Sequence, residues 1–280
     1  KIRPQSINPK MQETIKRLKN LNLATVCQSA HCPNMSECWS TGTATIMVMG
    51  DTCTRACKFC NVKTGMPDKL DALEPQKTAF AIKQMDIDYV VITSVDRDEL
   101  PDQGANHLKK VIEMVRRFNP NIKIEILAPD FRGKIELLKV VLTAKPEVYA
   151  HNIETIKRLT PKVRDIRATY QNSLNILKQA KVINPQSLTK TSIMLGLGET
   201  PGEVLQTLSD LRQNKCDIIT FGQYMQPTQK HYKVQKYVPP QDFLWYTKMA
   251  YCLGFKLAYG GPLVRSSYKA GEYFKQIQNA

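Results

Sequence analysis

"TATIMVMGDTCTRACKFC", residues 43–60, joins an apolar run to three closely spaced cysteines. The apolar run, residues 43–50, predicts a buried β-strand, and the loop after it holds Cys53, Cys57 and Cys60 in a C-x3-C-x2-C spacing. Ligand sites on parallel α/β sheets gather at the carboxyl ends of strands. A thiol-rich loop directly after a first strand therefore indicates a site at that edge of such a sheet.

Five more apolar runs follow this loop, separated by segments with helical periodicity. The runs cover residues 88–94, 123–129, 147–155, 188–198 and 217–225. Segments 106–119, 170–183 and 201–215 between them have the apolar spacing of amphipathic helices. Strands that alternate with helices predict a parallel sheet with right-handed crossovers. The sequence therefore predicts an α/β fold, a partial (β/α)6 barrel, over residues 43–254.

Extensions flank the predicted barrel on both sides. Residues 1–42 form an N-terminal extension with three further cysteines, and residues 255–280 form a C-terminal extension that contains RSSY at 265–268. A chain of 280 residues with 42% hydrophobic and 23% charged residues has the composition of a globular protein that can bury a sizeable core. No apolar run in the sequence reaches the length of about 18 residues that a membrane span needs.

The three cysteines of the N-terminal extension, Cys27, Cys32 and Cys38, have a C-x4-C-x5-C spacing. Two sets of three thiols pair poorly as disulfides, which concentrate in small secreted domains. Structural zinc takes four ligands, usually from two cysteine pairs. Three thiolates can instead hold a four-iron cluster and leave one iron open. Two clusters are therefore the favoured interpretation, with disulfides and zinc as weaker alternatives.

The remaining cysteines and most histidines carry weaker signals. Cys216 and Cys252 lie in apolar surroundings, and we predict that both are core residues. His31, His107 and His231 follow no ligand spacing, so we predict surface or hydrogen-bonded side chains.

Polar residues follow several predicted strands. TSVDRDELPDQGA, residues 93–105, comes after the second strand, and its Asp and Ser content also fits a plain capped loop. HNIET, residues 151–155, ends the fourth strand, where Asn152 and Glu154 share one face by the two-residue period of strands. Those two side chains suit the hydroxyl groups of a ribose. GLGET, residues 196–200, ends the fifth strand, where glycines permit a ligand to approach the backbone.

Taken together, these motifs resemble one known family. CTRACKFC, with Phe59 before its last cysteine, resembles the signature of the radical S-adenosylmethionine superfamily. With the N-terminal triplet, residues 93–105 and RSSY in the same order, nearly the whole chain resembles lipoyl synthases. The resemblance implies two [4Fe–4S] clusters. One of them binds S-adenosylmethionine and cleaves it reductively to a 5′-deoxyadenosyl radical.

The resemblance also implies a set of site residues. The cluster that binds S-adenosylmethionine would be held by Cys53, Cys57 and Cys60. The auxiliary cluster would be held by Cys27, Cys32, Cys38 and Ser267. The predicted contacts to S-adenosylmethionine are Phe59, Ser94, Asn152 and Glu154, with Phe59 beside the adenine. The predicted catalytic residues are Cys53, Cys57, Cys60 and Ser267.

The implied reaction is sulfur insertion at C6 and C8 of an octanoyl chain that is amide-linked to a lysine of a lipoyl carrier domain, with the auxiliary cluster as sulfur donor. Those positions are unactivated methylene groups. No side-chain base can deprotonate them, because acid–base catalysis needs groups of comparable acidity, whereas a cofactor-derived radical can remove a hydrogen atom. The alternative is a transfer-RNA methylthiotransferase, which also pairs two clusters. That class has a separate N-terminal cluster domain and an RNA-binding module, and neither is recognisable in this sequence.

The charge balance bears on partners. A net charge of +15, from 40 basic and 25 acidic residues, favours an acidic partner. The implied partners are octanoylated lipoyl carrier domains, on 2-oxoacid dehydrogenase E2 subunits and the glycine cleavage H protein, and a low-potential electron donor such as ferredoxin or flavodoxin. We predict a monomer that binds no nucleic acid and no membrane. The predicted location is the cytoplasm, or an organelle matrix if a presequence before Lys1 has been removed.

Overall fold

The computed structural model describes residues 23–25, 32, 34, 37–38, 45–85 and 87–278 of the chain. The strands within these ranges are β1 Ala24–Thr25, β2 Thr45–Val48, β3 Thr52–Cys53, β4 Lys63–Thr64, β5 Tyr89–Ser94, β6 Lys123–Leu127, β7 Val148–Ala150, β8 Leu188–Leu195, β9 Ile218–Gln223 and β10 Leu257–Gly261. The helices after residue 45 are α1 Glu74–Met85, α2 Ala105–Phe118, α3 Ile135–Leu142, α4 Thr160–Val163, α5 Tyr170–Ile183, α6 Pro201–Gln213, α7 Pro240–Cys252 and α8 Ala270–Gln278.

An eight-stranded sheet forms the centre of this structure. Its strand order is β1-β2-β5-β6-β7-β8-β9-β10, so neighbouring strands follow one another along the chain apart from β3 and β4. β1 is antiparallel to β2, and every other pair of neighbours in the sheet is parallel. β3 and β4 pair separately as a short parallel two-stranded sheet. Within the described residues, no helix is both long and apolar enough to cross a membrane.

The predicted α/β fold, a partial barrel of alternating strands and helices, is confirmed. Each of the six predicted runs contains one parallel strand of the sheet, β2 or β5 to β9. The sheet also continues into β10, which pairs with β9 and lies in the region predicted as the C-terminal extension. The sequence of β10 is LAYGG, in which three apolar residues precede two glycines, so its strand signal is too short to detect.

The main hydrophobic core lies between the sheet and the helices that connect its strands. Helix α2 illustrates how the sequence builds it. Leu108, Val111, Ile112 and Val115 are buried, and their spacing of three or four residues puts them on one face of the helix. This apolar layer supports the strands from outside and leaves their carboxyl ends for a site.

The C-terminal helix α8 covers the opposite face of the sheet. The ring of Phe274 lies 5.4 Å from the ring of Tyr89, and Tyr273 stacks on Tyr259 at 3.7 Å. A Cβ added at Gly271 would lie 2.9 Å from the Cβ of Tyr89, so glycine permits this close approach. The packing of α8 fixes the turn that joins it to β10, and this turn contains the RSSY sequence.

The structure also tests the predictions for isolated cysteines and histidines. Cys216 is buried, as predicted, but Cys252 is exposed. The prediction for Cys252 was wrong because it lies at the end of α7, where apolar sequence neighbours do not guarantee burial. His107 is buried and hydrogen-bonded to Glu74, and His231 contacts the Cys60 carbonyl at 3.0 Å, so the hydrogen-bonded interpretation holds for both. His31 lies outside the described residues.

Candidate active site

The loop after β2 brings Cys53, Cys57 and Cys60 into one site at the carboxyl-terminal edge of the sheet. Cys53 ends β3, and a tight turn follows in which the Cys60 amide donates to the Cys57 carbonyl at 3.0 Å. All three residues are half-buried. Each sulfur is close enough to another of the set for their charges to interact. The predicted ligands of the first cluster therefore lie together.

Backbone amides point at the sulfurs of this loop. The amides of Arg55 and Asp96 both donate to Cys53 Sγ at 3.4 Å. The amide of Asp165 donates to Cys57 Sγ at 3.2 Å. Hydrogen bonds to the charged form of an acid favour that form, so these donors stabilise a thiolate relative to a thiol.

Burial of the three thiols acts against their ionisation. It raises the pKa of Cys53 to about 11, that of Cys57 to about 12 and that of Cys60 to about 11. A backbone hydrogen bond from Val62 lowers the pKa of Cys60 but does not overcome burial. The thiols are therefore protonated at neutral pH, and metal binding must displace their protons.

The donor set fits an iron–sulfur cluster better than a single ion. Cysteine thiolates are the ligands that hold [4Fe–4S] clusters, and each cysteine sulfur binds a different iron. Among the described residues, no three His, Cys, Asp or Glu side chains are arranged around one metal ion. That finding is compatible with three thiols that surround a four-iron cluster, which is larger than a single ion.

Arg55, inside the cysteine motif, anchors the loop to neighbouring strands. Its guanidinium lies 2.8 Å from Asp98, 2.8 Å from Asp130 and 3.3 Å from Asp96. The Arg55 side chain is 3% exposed, so the ion pairs are shielded from water. Burial raises the pKa of Asp96 to about 6, although Arg55 opposes this rise. Because a buried charge without its partner is costly, Arg55 and its carboxylates hold the loop in place.

Residues 93–105 serve both the site and the fold. The first half of the segment contributes carboxylates to the Arg55 cluster. In the second half, Asp102 accepts hydrogen bonds from the amides of Gly104 and Asn106, each at 3.1 Å, at the start of α2. The capped-loop interpretation is therefore correct for the second half alone.

The predicted contacts to S-adenosylmethionine include buried polar atoms that lack partners. Ser94 Oγ and Asn152 Oδ1 have no hydrogen-bond partner among the residues that the structure describes. Such atoms cost free energy unless something binds them, so they fit a polar ligand. Glu154 is hydrogen-bonded to Asn152, burial raises its pKa, and its charge acts on Cys60. Phe59 packs against the main hydrophobic core, so its contact with adenine stays a prediction.

Arg164 is a residue of this site that the sequence does not indicate. It is buried, and its Nη1 donates to the Ser173 hydroxyl at 2.7 Å and to the Ile153 carbonyl at 3.3 Å. Its Nε is also buried and has no hydrogen-bond partner within the described ranges. Its positive charge acts on both Cys57 and Glu154. An arginine in a helix-to-helix connection has no periodicity or spacing that would single it out.

The C-terminal turn brings the RSSY sequence to two cysteines of the N-terminal triplet. Tyr268 donates to Glu37 at 3.1 Å, and the Cys38 sulfur acts electrostatically on Tyr268. Burial lowers the pKa of Arg265, while the nearby Cys32 opposes this effect. Residues more than two hundred positions apart in sequence therefore meet at this second site.

Ser267 lies in the same turn, and its hydroxyl is held by a strand of the sheet. Thr45 Oγ1 donates to Ser267 Oγ at 2.8 Å. A side chain at Gly222 would collide with the Val264 carbonyl oxygen, so glycine in β9 lets the turn approach the sheet. Cys27, the remaining predicted ligand of the auxiliary cluster, lies outside the described residues.

Comparison with known proteins relates the chain to one family. Residues 47–211 match the model of the radical SAM superfamily. The chain is 56% identical to "Lipoyl synthase, apicoplast" of Plasmodium vivax (strain Salvador I), over 97% of this chain and 62% of that protein. It is 54% identical to "Lipoyl synthase, mitochondrial" of Schizosaccharomyces pombe, over 92% of this chain and 72% of that protein. The chain thus spans less than two thirds of the length of the Plasmodium relative.

Solved structures with the same fold are more distant in sequence. Methylornithine synthase is similar with a TM-score of 0.59 at 13% identity, over 74% of this chain and 62% of that one. The FeFe-hydrogenase maturase HydG from Carboxydothermus hydrogenoformans has a TM-score of 0.56 at 13% identity, over 84% of this chain and 65% of that one. At this identity the similarity concerns the fold alone.

Proposed function

The chain belongs to the lipoyl synthase family of the radical S-adenosylmethionine superfamily, and on this premise we propose that it inserts two sulfur atoms into an octanoyl group. The sulfur atoms enter at C6 and C8 of a chain that is amide-linked to a lysine of a lipoyl carrier domain. One observation carries the proposal. The same barrel carries two groups of cysteines. The first group lies on the loop after β2, and the second lies beside the C-terminal turn.

Membership of this family implies a [4Fe–4S] cluster and S-adenosylmethionine, and we assign Cys53, Cys57 and Cys60 to that cluster. When bound, these cofactors supply a 5′-deoxyadenosyl radical, which can remove a hydrogen atom from a methylene group. The amide donors at the sulfurs favour the thiolate state. The three cysteines are half-buried, which limits their contact with water. The oxygens of Ser94 and Asn152 that have no partner among the described residues fit the polar groups of S-adenosylmethionine.

Arg164 complements these contacts. The methionyl part of S-adenosylmethionine carries a carboxylate. A buried guanidinium whose Nε has no partner in the described part of the chain suits such a group. Its charge already acts on Cys57 and Glu154, so it lies within the same site. We assign to Arg164 the counter-charge for that carboxylate.

The second group of residues would hold an auxiliary [4Fe–4S] cluster, with Cys27, Cys32, Cys38 and Ser267 as ligands. When bound, this cluster supplies the sulfur atoms of the product. Ser267 offers an oxygen, which is a poorer ligand for such a cluster than a thiolate. At this position Ser267 would be the more easily displaced ligand, and the cysteines would be the firmer ones.

The wider assignments follow from the same proposal. We divide the chain by role into residues 1–42 and 255–280, which build the auxiliary site, and the barrel between them. The partners are octanoylated E2 or H-protein domains and a low-potential donor such as ferredoxin or flavodoxin, and the protein acts as a monomer. We propose an organelle matrix as its location, since the relatives are named for the apicoplast and the mitochondrion. A cytoplasmic location stays a prediction. The names of the relatives favour a lipoyl synthase over the transfer-RNA methylthiotransferase alternative.

The proposal is tested by anaerobic reconstitution followed by a product assay. Reconstituted protein should contain about eight irons and a similar amount of sulfide per chain, since two four-iron clusters are expected. With S-adenosylmethionine and a reductant, it should convert an octanoylated carrier peptide to a lipoylated one, detected by mass. Fully loaded protein that holds only four irons, or that cleaves S-adenosylmethionine without thiolating the peptide, would contradict the proposal.

A further inference from the structure

We propose that Thr45 is a positioning residue for Ser267, which holds the serine oxygen ready to bind an iron of the auxiliary cluster. This inference rests on the proposed function, in which Ser267 is a ligand of that cluster. Thr45 is the first residue of β2 and Ser267 lies in the turn before α8, yet their hydroxyl oxygens are 2.8 Å apart. Thr45 is 5% exposed and Ser267 is half-buried, so the contact is partly shielded from water.

The contact is fixed from both sides by the fold. Thr45 stands in register with Val91 of β5, so its backbone belongs to the parallel sheet. The turn that carries Ser267 is closed by a hydrogen bond from the Tyr268 amide to the Arg265 carbonyl at 3.0 Å. It continues directly into α8, which packs on the sheet through Phe274 and Tyr273. The hydroxyl pair is therefore held by tertiary structure and not by sequence proximity.

The same turn contacts two residues that lie between Cys32 and Cys38 in the sequence. Tyr268 and Lys269 both contact Glu37, at 3.1 Å each, and Asn34 donates to the Leu263 carbonyl. Glu37 directly precedes Cys38 in the sequence. Thr45 thus holds Ser267 in a turn that also contacts Asn34 and Glu37.

The protonation chemistry assigns the direction of the hydrogen bond. A hydroxyl group has one donor hydrogen and two acceptor lone pairs. When Ser267 binds iron as an alkoxide, its proton passes to solvent, an iron–oxygen bond forms, and the oxygen can then only accept. Thr45 must donate, and a hydrogen bond to an ionised oxygen is about twice as strong as a neutral one. The contact therefore stabilises the iron-binding form of Ser267.

The hydrogen bond between Thr45 and Ser267 also bears on the release of Ser267 from iron. When the iron–oxygen bond breaks, Ser267 takes a proton from solvent and becomes a hydroxyl again, so charge and protons balance. Thr45 remains hydrogen-bonded to it, and the serine oxygen stays aimed at the same place. Groups that hydrogen-bond to a metal ligand typically change metal affinity or activity by about 10–100-fold when they are removed.

The test compares Thr45→Val, which keeps the shape and removes the hydroxyl, with Thr45→Ser, which keeps the hydroxyl. Protein reconstituted with ⁵⁷Fe is measured by Mössbauer spectroscopy, in which an oxygen-bound iron has its own signal, and is then assayed for lipoyl product and 5′-deoxyadenosine. We expect Thr45→Val to lose most of the oxygen-bound iron signal and about 10–100-fold of its lipoyl product, with 5′-deoxyadenosine formation unchanged. Thr45→Ser should restore the signal and the product.

Two further variants separate this inference from the function on which it rests. Ser267→Ala should lose the oxygen-bound iron signal and Ser266→Ala should keep it. If Ser267→Ala keeps the signal, Ser267 is not the ligand and the auxiliary-site assignment fails. If Ser267→Ala loses the signal while Thr45→Val has wild-type signal and product, the role of Thr45 alone is wrong. Loss of 5′-deoxyadenosine formation in Thr45→Val would indicate general damage to the barrel and would also overturn the inference.

Discussion

Single residues in this protein owe their roles to what lies beside them in space. Arg55 is surrounded by Asp96, Asp98 and Asp130, so its charge is used within the protein to hold the cysteine loop. Arg164 is also buried, but its Nε has no partner in the described part of the chain. A buried charge calls for compensation, so the first arginine is a structural anchor and the second is available to a ligand.

Arg164→Gln should weaken the binding of S-adenosylmethionine to the reconstituted protein. Charge-assisted hydrogen bonds contribute about 1.5–3 kcal/mol, so the Kd should rise by roughly 10–150-fold. The measurement is equilibrium binding under anaerobic conditions, and the matched control is Arg158→Gln, which removes an arginine with a 49% exposed side chain paired with Glu203. Arg164 would have no part in ligand binding if both variants bound S-adenosylmethionine as wild type does.

The two cysteine groups should fail in different ways. Cys53→Ala should abolish reductive cleavage of S-adenosylmethionine, because its cluster loses one of three protein ligands. Cys38→Ala should still form 5′-deoxyadenosine but make no lipoyl product, because the sulfur donor is lost. Both compounds are quantified in one reaction by mass spectrometry. Lipoyl product from Cys38→Ala at a rate near wild type would show that the N-terminal triplet is not needed for sulfur transfer.

At the scale of elements, the C-terminal turn depends on the helix that follows it. α8 packs so closely that the position of Gly271 has no room for a Cβ beside Tyr89. By contrast, none of the described residues lies within 4 Å of the position of a Cβ added at Gly202 in α6. These two helical glycines therefore form a matched pair, which tests whether the packing of α8 on the sheet affects the auxiliary site.

Gly271→Ala should lower stability by about 1–3 kcal/mol because the added methyl group forces α8 away from the sheet. The melting temperature should fall by roughly 2–4 °C for each kcal/mol in a protein of this size. Iron content should fall with it, while formation of 5′-deoxyadenosine persists. Gly202→Ala should leave the melting temperature and iron content unchanged or slightly higher, since alanine favours helix over glycine. Equal behaviour of the two variants would remove the proposed link between α8 and the auxiliary site.

The sequence predicted most elements that have a regular pattern. Six strands and three helices, α2, α5 and α6, were detectable because buried strands are apolar runs and amphipathic helices such as α2 have a clear helical period. β10 escaped detection because its last two residues are glycines. The same limit applies to the site. Cysteine spacing identifies Cys53, whereas the contact between Thr45 and Ser267 depends on a turn that only the folded chain brings to β2.

At the scale of the whole molecule, the chain has a net charge of +15, and some of its exposed lysines lie on a segment that contacts the first site. The segment between β9 and α7 contacts the cysteine loop, since the Tyr232 amide donates to the Lys58 carbonyl at 2.8 Å. Lys230, Lys233 and Lys236 are exposed on this segment. A positive surface beside the entrance to a site can steer an acidic carrier domain.

Raising the salt concentration should therefore raise the KM for an octanoylated carrier domain, because salt screens exposed charges. An uncharged octanoyl-lysine peptide should respond much less. The double variant Lys230→Gln and Lys233→Gln should reduce the salt dependence for the carrier domain. The control is Lys83→Gln with Lys110→Gln, which removes the same charge from exposed positions on α1 and α2. Similar salt effects on domain and peptide would rule out charge-steered docking.

The central claim is that one group of cysteines serves radical formation while the other holds the sulfur that enters the product. The most direct test is a single-turnover reaction with protein reconstituted from ³⁴S-labelled sulfide, without added sulfide. Both sulfur atoms of the lipoyl product should carry the label, with no more than about one lipoyl group formed per chain, since the auxiliary cluster is consumed. Unlabelled sulfur in the product, or several lipoyl groups per chain without a sulfur source, would contradict the account.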